Sequence, residues 1–311
     1  MAHLSAPLEP GGEQADAAKA SKSDSSITNS ASAVRIILRI TTFIGLLVAL
    51  RVLQYFLFTK KLPHDWMRSP RGLLADESLR VVVVLFVTGV LARFEGRKLT
   101  DYGLGARQAL RLCFVGGVWG AATLSLLVGA LKLTGALALS GPAMSGFAAL
   151  GYGVQWLLAF FGAALFEEIT LRGYLQFTLA QLTGFWRAAL IWSLVFALMH
   201  GTNGGEGMVG LVQSGLIALF FCLSLWLTGS LWWAIGFHAA WDWAESYLYG
   251  AADSGLNVTG HLFSAVPRGN ALLSGGSTGP EGCILSLFIL AIPTAGLWFI
   301  YRGAGRRIDK R

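Results

Sequence analysis

The chain has 311 residues, 54% of them hydrophobic and 13% charged, and a mean hydropathy of +0.59. These values lie outside the range of a soluble globular domain and describe an all-α, polytopic membrane protein. The formal charge of +7 does not indicate a nucleic-acid partner: no zinc-finger spacing, RNP motif or basic helix accompanies it. The basic residues sit in short loops and in the terminal "RGAGRRIDKR", where they act as orientation signals beside anionic lipid.

Residues 1–32 are rich in Ala, Ser and Gly and lack the apolar patterning of a folded segment, which predicts a disordered cytosolic tail. Apolar runs then predict membrane helices at 34–58, 78–94, 110–133, 147–182, 187–201, 206–228, 231–249 and 283–301, about eight spans. An even count puts both termini on one side. Arg35, Arg39 and the basic C-terminus favour the cytosol for both, with the loops at 134–146 and 250–282 outside, in a multi-pass plasma-membrane protein. The segment near 59–80 conflicts with this rule, being about as basic as "RKLTDYGLGARQALR" on the opposite side. The fourth run exceeds the hydrocarbon thickness and must tilt, kink or project. Residues 249–282 are rich in Gly, Ser and Pro and predict a long external or partly re-entrant loop. Cys113, Cys222 and Cys283 form no disulfide framework or metal spacing and read as packing residues.

Ionisable residues well inside these runs are few: Glu167, Glu168, Arg172, His200, His238 and Asp242. An ionised side chain at mid-membrane costs about 2.5–3.5 kcal/mol even on insertion scales, so such residues face an interior or a functional cavity. Glu168 and Arg172 are four apart and share a helix face, which predicts a neutral pair. Glu167 points about 100° away and has no partner on its own helix. His238 and Asp242 also share a face, so Asp242 is placed to fix the imidazole tautomer. Taken together, these groups could activate water by two routes. In one, Glu167 and His200 deprotonate water while His238 and Asp242 stabilise the oxyanion. In the other, zinc is bound from among Glu167, Glu168, His200 and His238, with a Glu as base. No HExxH, no GxSxG elbow and no Cys beside a His supports a soluble metalloprotease, serine hydrolase or cysteine protease reading.

"EEITLRG", "FALMH" and "HAAWD" resemble, in order and spacing, the EExxxR, FxxxH and HxxxN/D motifs of the CPBP intramembrane proteases, the family of the CAAX prenyl endopeptidase Rce1 and bacterial Abi proteins. "TDYGLG" resembles a less specific family feature. The resemblance implies a catalytic core at 98–248, between N-terminal helices at 33–97 and a final helix with a basic tail at 283–311. It further implies a conical cavity opening to the cytosol, Glu167 and His200 as water activators, His238 and Asp242 as oxyanion stabilisers, and Glu168 and Arg172 in support. The implied partners are the lipid bilayer and a membrane-embedded or membrane-associated protein or peptide substrate. Prenyl-processing members are similar in carrying Asn where this chain has Asp242, and an ionised carboxylate cannot donate to an oxyanion. That departure leans towards metal-assisted chemistry. It also leaves a second reading, a catalytically inactive membrane scaffold or immunity-type binding protein.

Overall fold

The computed structural model describes residues 11–304, with side-chain surroundings given from residue 31 onwards except at His64, Met67 and Ala304. Every predicted span is a helix. They are α1 (Gly11–Leu57), α2 (Pro70–Phe94), α3 (Ala109–Leu133), α4 (Gly146–Thr183), α5 (Phe185–His200) and α6 (Met208–Thr228). Then come α7 (Trp232–Asp242, continued by a π turn, Trp243–Leu248) and α8 (Ile284–Tyr301). Five of the eight, α1, α3, α4, α6 and α8, are long and apolar enough to cross a membrane unaided. The remaining three fall short for visible reasons. α5 has 16 residues, α2 opens on Arg71, Asp76, Glu77 and Arg80, and α7 is short and sits at the centre, shielded from lipid by its neighbours. The helical backbone of α1 begins at Gly11, and residues 1–10 of the tail expected over 1–32 lie outside the described residues. "EQADAAKA" consists mostly of strong helix formers, so the apolar run propagates upstream into it. The basic end of the C-terminal tail lies outside the described residues.

The central position of α7 is set by glycine. A Cβ on Gly116 or Gly120 of α3 would stand 2.1 Å from the Trp233 carbonyl oxygen or 2.2 Å from that of Phe237, and one on Gly236 would stand 2.0 Å from the Cys113 carbonyl oxygen. Backbones touch here as in membrane helix pairs built on small residues four apart, where close van der Waals approach replaces the hydrophobic effect. α4 covers another side of α7. Trp243 Nε1 donates to the Gly153 carbonyl at 2.9 Å, and Tyr247 Oη donates to that of Ala149 at 2.5 Å.

The interhelical loops gather at two ends. At one, β1 (Leu137–Ser140) pairs antiparallel with β2 (Ser264–Pro267), Ser277 Oγ donates to the Gly205 carbonyl, and Thr259 N donates to that of Arg68. The loop expected at 249–282 is thus anchored onto three other loops. At the opposite end, Leu231 N donates to the Gly103 carbonyl, and Tyr102 and Tyr174 both donate to Glu95. "TDYGLG" therefore buttresses the turn into α7. A Cβ on Gly103, whose φ is +84°, would meet Leu231 Cγ at 2.9 Å.

Gly120→Leu should overpack the α3–α7 contact and cost about 1–3 kcal/mol or more. Gly117→Ala, whose Cβ would lie 3.5 Å from its nearest neighbour, should be tolerated. Thermal unfolding of the two purified variants in detergent separates them.

Candidate active site

α4 runs 38 residues, about 57 Å at 1.5 Å per residue, roughly twice the hydrocarbon thickness. It is interrupted by a π segment, Ile169–Leu175, with Gly173 in a non-helical conformation. Glu167 and Glu168 close the regular helix just before it, as Asp242 closes that of α7 just before its own π turn. Single π turns of this kind recur at functional sites, because they re-aim side chains without ending the helix.

Glu168 is fully buried and accepts two hydrogen bonds on the same oxygen, Oε1: from Arg172 Nη1 at 3.1 Å and from His238 Nδ1 at 3.1 Å. The Arg172 guanidinium is itself buried, 4.4 Å from the centroid of the Phe196 ring and 5.6 Å from that of Phe221. With Glu168 as acceptor, Nδ1 carries hydrogen and Nε2 turns to the other carboxylates. It lies 3.7 Å from Glu167 Oε2 and 3.6 Å from Asp242 Oδ2. The Glu168–Arg172 pair stands as expected from the helix period, but the orienting carboxylate for His238 is Glu168, from another helix, and not Asp242. The spacing along α7 could not reveal this, since it carries no information about what faces the imidazole from α4.

Glu167 is the most open of the three carboxylates, with 29% of its side chain exposed against 14% for Asp242 and none for Glu168. Its Oε2 has no hydrogen-bond partner. His200 ends α5 and donates from Nδ1 to the Phe196 carbonyl at 3.0 Å, which leaves Nε2 as an acceptor. Both imidazoles border the Phe196 ring, with centroids 4.3 Å away for His200 and 6.4 Å for His238. Among the described residues, His200 has no carboxylate within 4 Å. It shares the Phe196 wall with His238 and stands apart from the carboxylate contacts.

A single ion held by Glu167, Glu168, His200 and His238 would draw at least three donor atoms into one shell. Among the described residues these donors do not come within 4.8 Å of one another as a group of three. They are engaged with each other, with Arg172 and with a backbone carbonyl, so they do not fit a bound zinc, and no step below is routed through one.

Two further polar groups escaped the sequence reading. Asp76 of α2 accepts from Arg80 at 2.8 Å and from Gln54 at 3.0 Å, while Arg80 also reaches Glu77 at 3.2 Å. This cluster abuts α4 one turn before Glu167: a Cβ on Gly162 would stand 2.9 Å from that of Glu77. The signal was "ADESLR", passed over because it opens its span. The second group, Glu206, Glu245, Asp253 and Glu281, lies at the loop end. There burial, reinforced by Glu281, pushes the Glu206 carboxyl up to about 7. Burial, then the charges of Asp242 and Glu281, raises Asp253.

Residues 148–244 match the family described as type II CAAX prenyl endopeptidase, Rce1-like. The segment is similar to CAAX-type proteases. It starts in α4 and ends in the π turn of α7, so it holds all six of the residues singled out from the sequence. No curated protein and no solved structure matches the chain. The helices outside the Rce1-like segment, α1 to α3 and α8, are those that pack around it.

Arg172→Met would leave the fully buried Glu168 carboxylate with His238 as its one remaining partner among the described residues. A loss of about 3–5 kcal/mol is expected, partly recovered in the Glu168→Gln/Arg172→Met double variant. Unfolding of the three proteins in detergent checks both statements.

Proposed function

We propose that the chain is an intramembrane endopeptidase in which Glu167 activates water for direct attack on a peptide bond. The observation that carries this reading is the placement of the partly open Glu167 carboxylate, whose Oε2 accepts no hydrogen bond, 3.7 Å from an imidazole whose other nitrogen is locked by Glu168 and Arg172. Glu167 takes a proton from water as its oxygen attacks the scissile carbonyl, and the lone pair on His200 Nε2 holds the second hydrogen of that water. The developing oxyanion is met by His238 carrying hydrogen on Nε2. Asp242 serves as countercharge to that imidazolium and does not donate to the oxyanion itself, which reconciles its carboxylate with the chemistry. When the tetrahedral intermediate collapses, the proton on Glu167 passes to the departing amine, and no covalent enzyme intermediate forms.

The substrate is a membrane-embedded or membrane-associated peptide. The family description names a CAAX prenyl endopeptidase, so a prenylated peptide and its unprenylated counterpart are the first pair to compare. Glu167→Gln and His238→Ala should each reduce cleavage at least about 100-fold, and His200→Ala likewise, with the detergent-purified proteins still folded. Full activity in Glu167→Gln would overturn the mechanism. Partner capture that survives all three substitutions, without cleavage by the parent protein, would support a binding role.

The same geometry bears on orientation. His200 ends α5, which rises about 24 Å, at the end of the bundle that carries the anchored loops. A substrate entering at that end would come from the face opposite the described ends of the chain. A cytosolic entrance at that end and cytosolic chain ends then exclude each other, and we favour cytosolic chain ends, because Arg35, Arg39, Arg93, Arg97, Lys98, Arg107 and Arg111 lie on that side and outnumber the basic residues of the 59–70 segment. In a cysteine-free background, Arg107→Cys should react with an impermeant maleimide from the cytosol and Asn257→Cys from the opposite side. The reverse pattern would favour a cytosolic entrance.

A further inference from the structure

Beyond the last turn of α7, three carboxylates from separate segments converge: Glu245 in the π turn, Asp253 in the following loop, and Glu281 in the short helical turn before α8. One oxygen of each lies within 4.8 Å of the other two. Two oxygens bound to one Ca²⁺ at about 2.4 Å can be at most about 4.8 Å apart, so the separation suits a single hard cation. Glu245 and Glu281 are buried, at 0% and 8% exposure. Among the described residues, no Lys, Arg or His forms an ion pair with any of the three.

Two buried carboxylates and a half-buried third, without a counter-cation, are costly. A second observation points to a ligand. Glu245 Oε2 is fully buried and has no hydrogen-bond partner. Neighbouring donors hold the other oxygens without neutralising them. Ser254 N and Oγ donate to Glu281 Oε1 at 2.7 and 2.6 Å, Ser246 Oγ donates to Asp253 Oδ2 at 3.0 Å, and Glu281 N donates to Glu245 Oε1 at 3.4 Å. Space is kept clear on one side by Gly279, where a Cβ would stand 3.1 Å from Glu245 Oε1 and 1.9 Å from the Ala252 carbonyl oxygen. Asp253 and Ser246 also line a cavity of about 730 Å³ at the loop end, which provides a path to the site.

We propose that Glu245, Asp253 and Glu281 bind a hard divalent cation, calcium or magnesium, which clasps the end of α7 to the 250–282 loop and the start of α8. All-oxygen donors favour these ions over zinc or copper. The site is separate from Glu167, Glu168, His200 and His238 and does not depend on the reaction proposed for them.

The test uses full-length protein purified in detergent, stripped with EDTA and titrated with CaCl₂ or MgCl₂. At saturation the unfolding midpoint should rise by roughly 5 °C or more, because the ion binds only the folded arrangement. Metal analysis after gel filtration should find close to one ion per chain. Asp253→Asn and Glu281→Gln should lose the cation-dependent rise while unfolding in EDTA at or above the wild-type temperature, since each removes a repulsive charge. A wild-type midpoint indifferent to both cations, with less than about 0.1 ion per chain, would overturn the proposal and leave the three groups sharing protons. A rise that survives both substitutions would overturn the assignment to these residues. Should the variants fail to fold, the wild-type titration and stoichiometry decide.

Discussion

The arrangement of this membrane core depends on one carboxylate oxygen, Glu168 Oε1, that accepts from Arg172 and from His238 at once. In a bilayer neither a lone carboxylate nor a lone guanidinium is tolerable, so each demands the other. By taking the His238 Nδ1 hydrogen as well, Glu168 ties α4 to α7 and fixes which imidazole nitrogen faces Glu167 and Asp242. Phe196 and Phe221 close the space around the guanidinium, and Phe196 also supplies the carbonyl that orients His200. The three motif segments thus work as one assembly.

What could be read from the sequence follows the range of each interaction. Apolar runs located every helix, because burial in lipid is a property of composition along the chain. The i, i+4 rule found the Glu168–Arg172 pair for the same local reason. It misled at His238, where the residue one turn away is near but the residue from α4 is the one bonded. The glycines at 116, 120 and 236 were visible only as apolar filler, since their meaning lies in which backbone comes close. The acidic loop cluster was invisible for a similar reason: Glu245, Asp253 and Glu281 span 36 positions, and only the fold of the loop end brings them together.

A carboxylate cluster at the rim changes how one common experiment is interpreted. Loss of cleavage in a chelator is usually taken as the mark of a catalytic metal. Here the cation proposed at the rim would act through α7, whose Asp242 lies one turn from Glu245, so chelation would weaken the proposed reaction without touching the groups proposed to activate water. Zinc-selective and calcium-selective chelators separate the two cases.

The π segment of α4 has a mechanical consequence. Before it, the helix presents Glu167 and Glu168 towards α7; from it onwards, Tyr174 bonds Glu95 and stacks on Phe43, and Gln176 bonds the Phe185 carbonyl. The surplus residue in that turn is a phase shift. Without it, everything downstream would rotate by about 100°, and one of the two sets of contacts would have to be given up. A single continuous rod can therefore serve two interfaces whose angular settings are incompatible in a regular helix, and an insertion or deletion of one residue between 169 and 175 would uncouple the two ends of the bundle while leaving every side chain of the polar cluster in the chain.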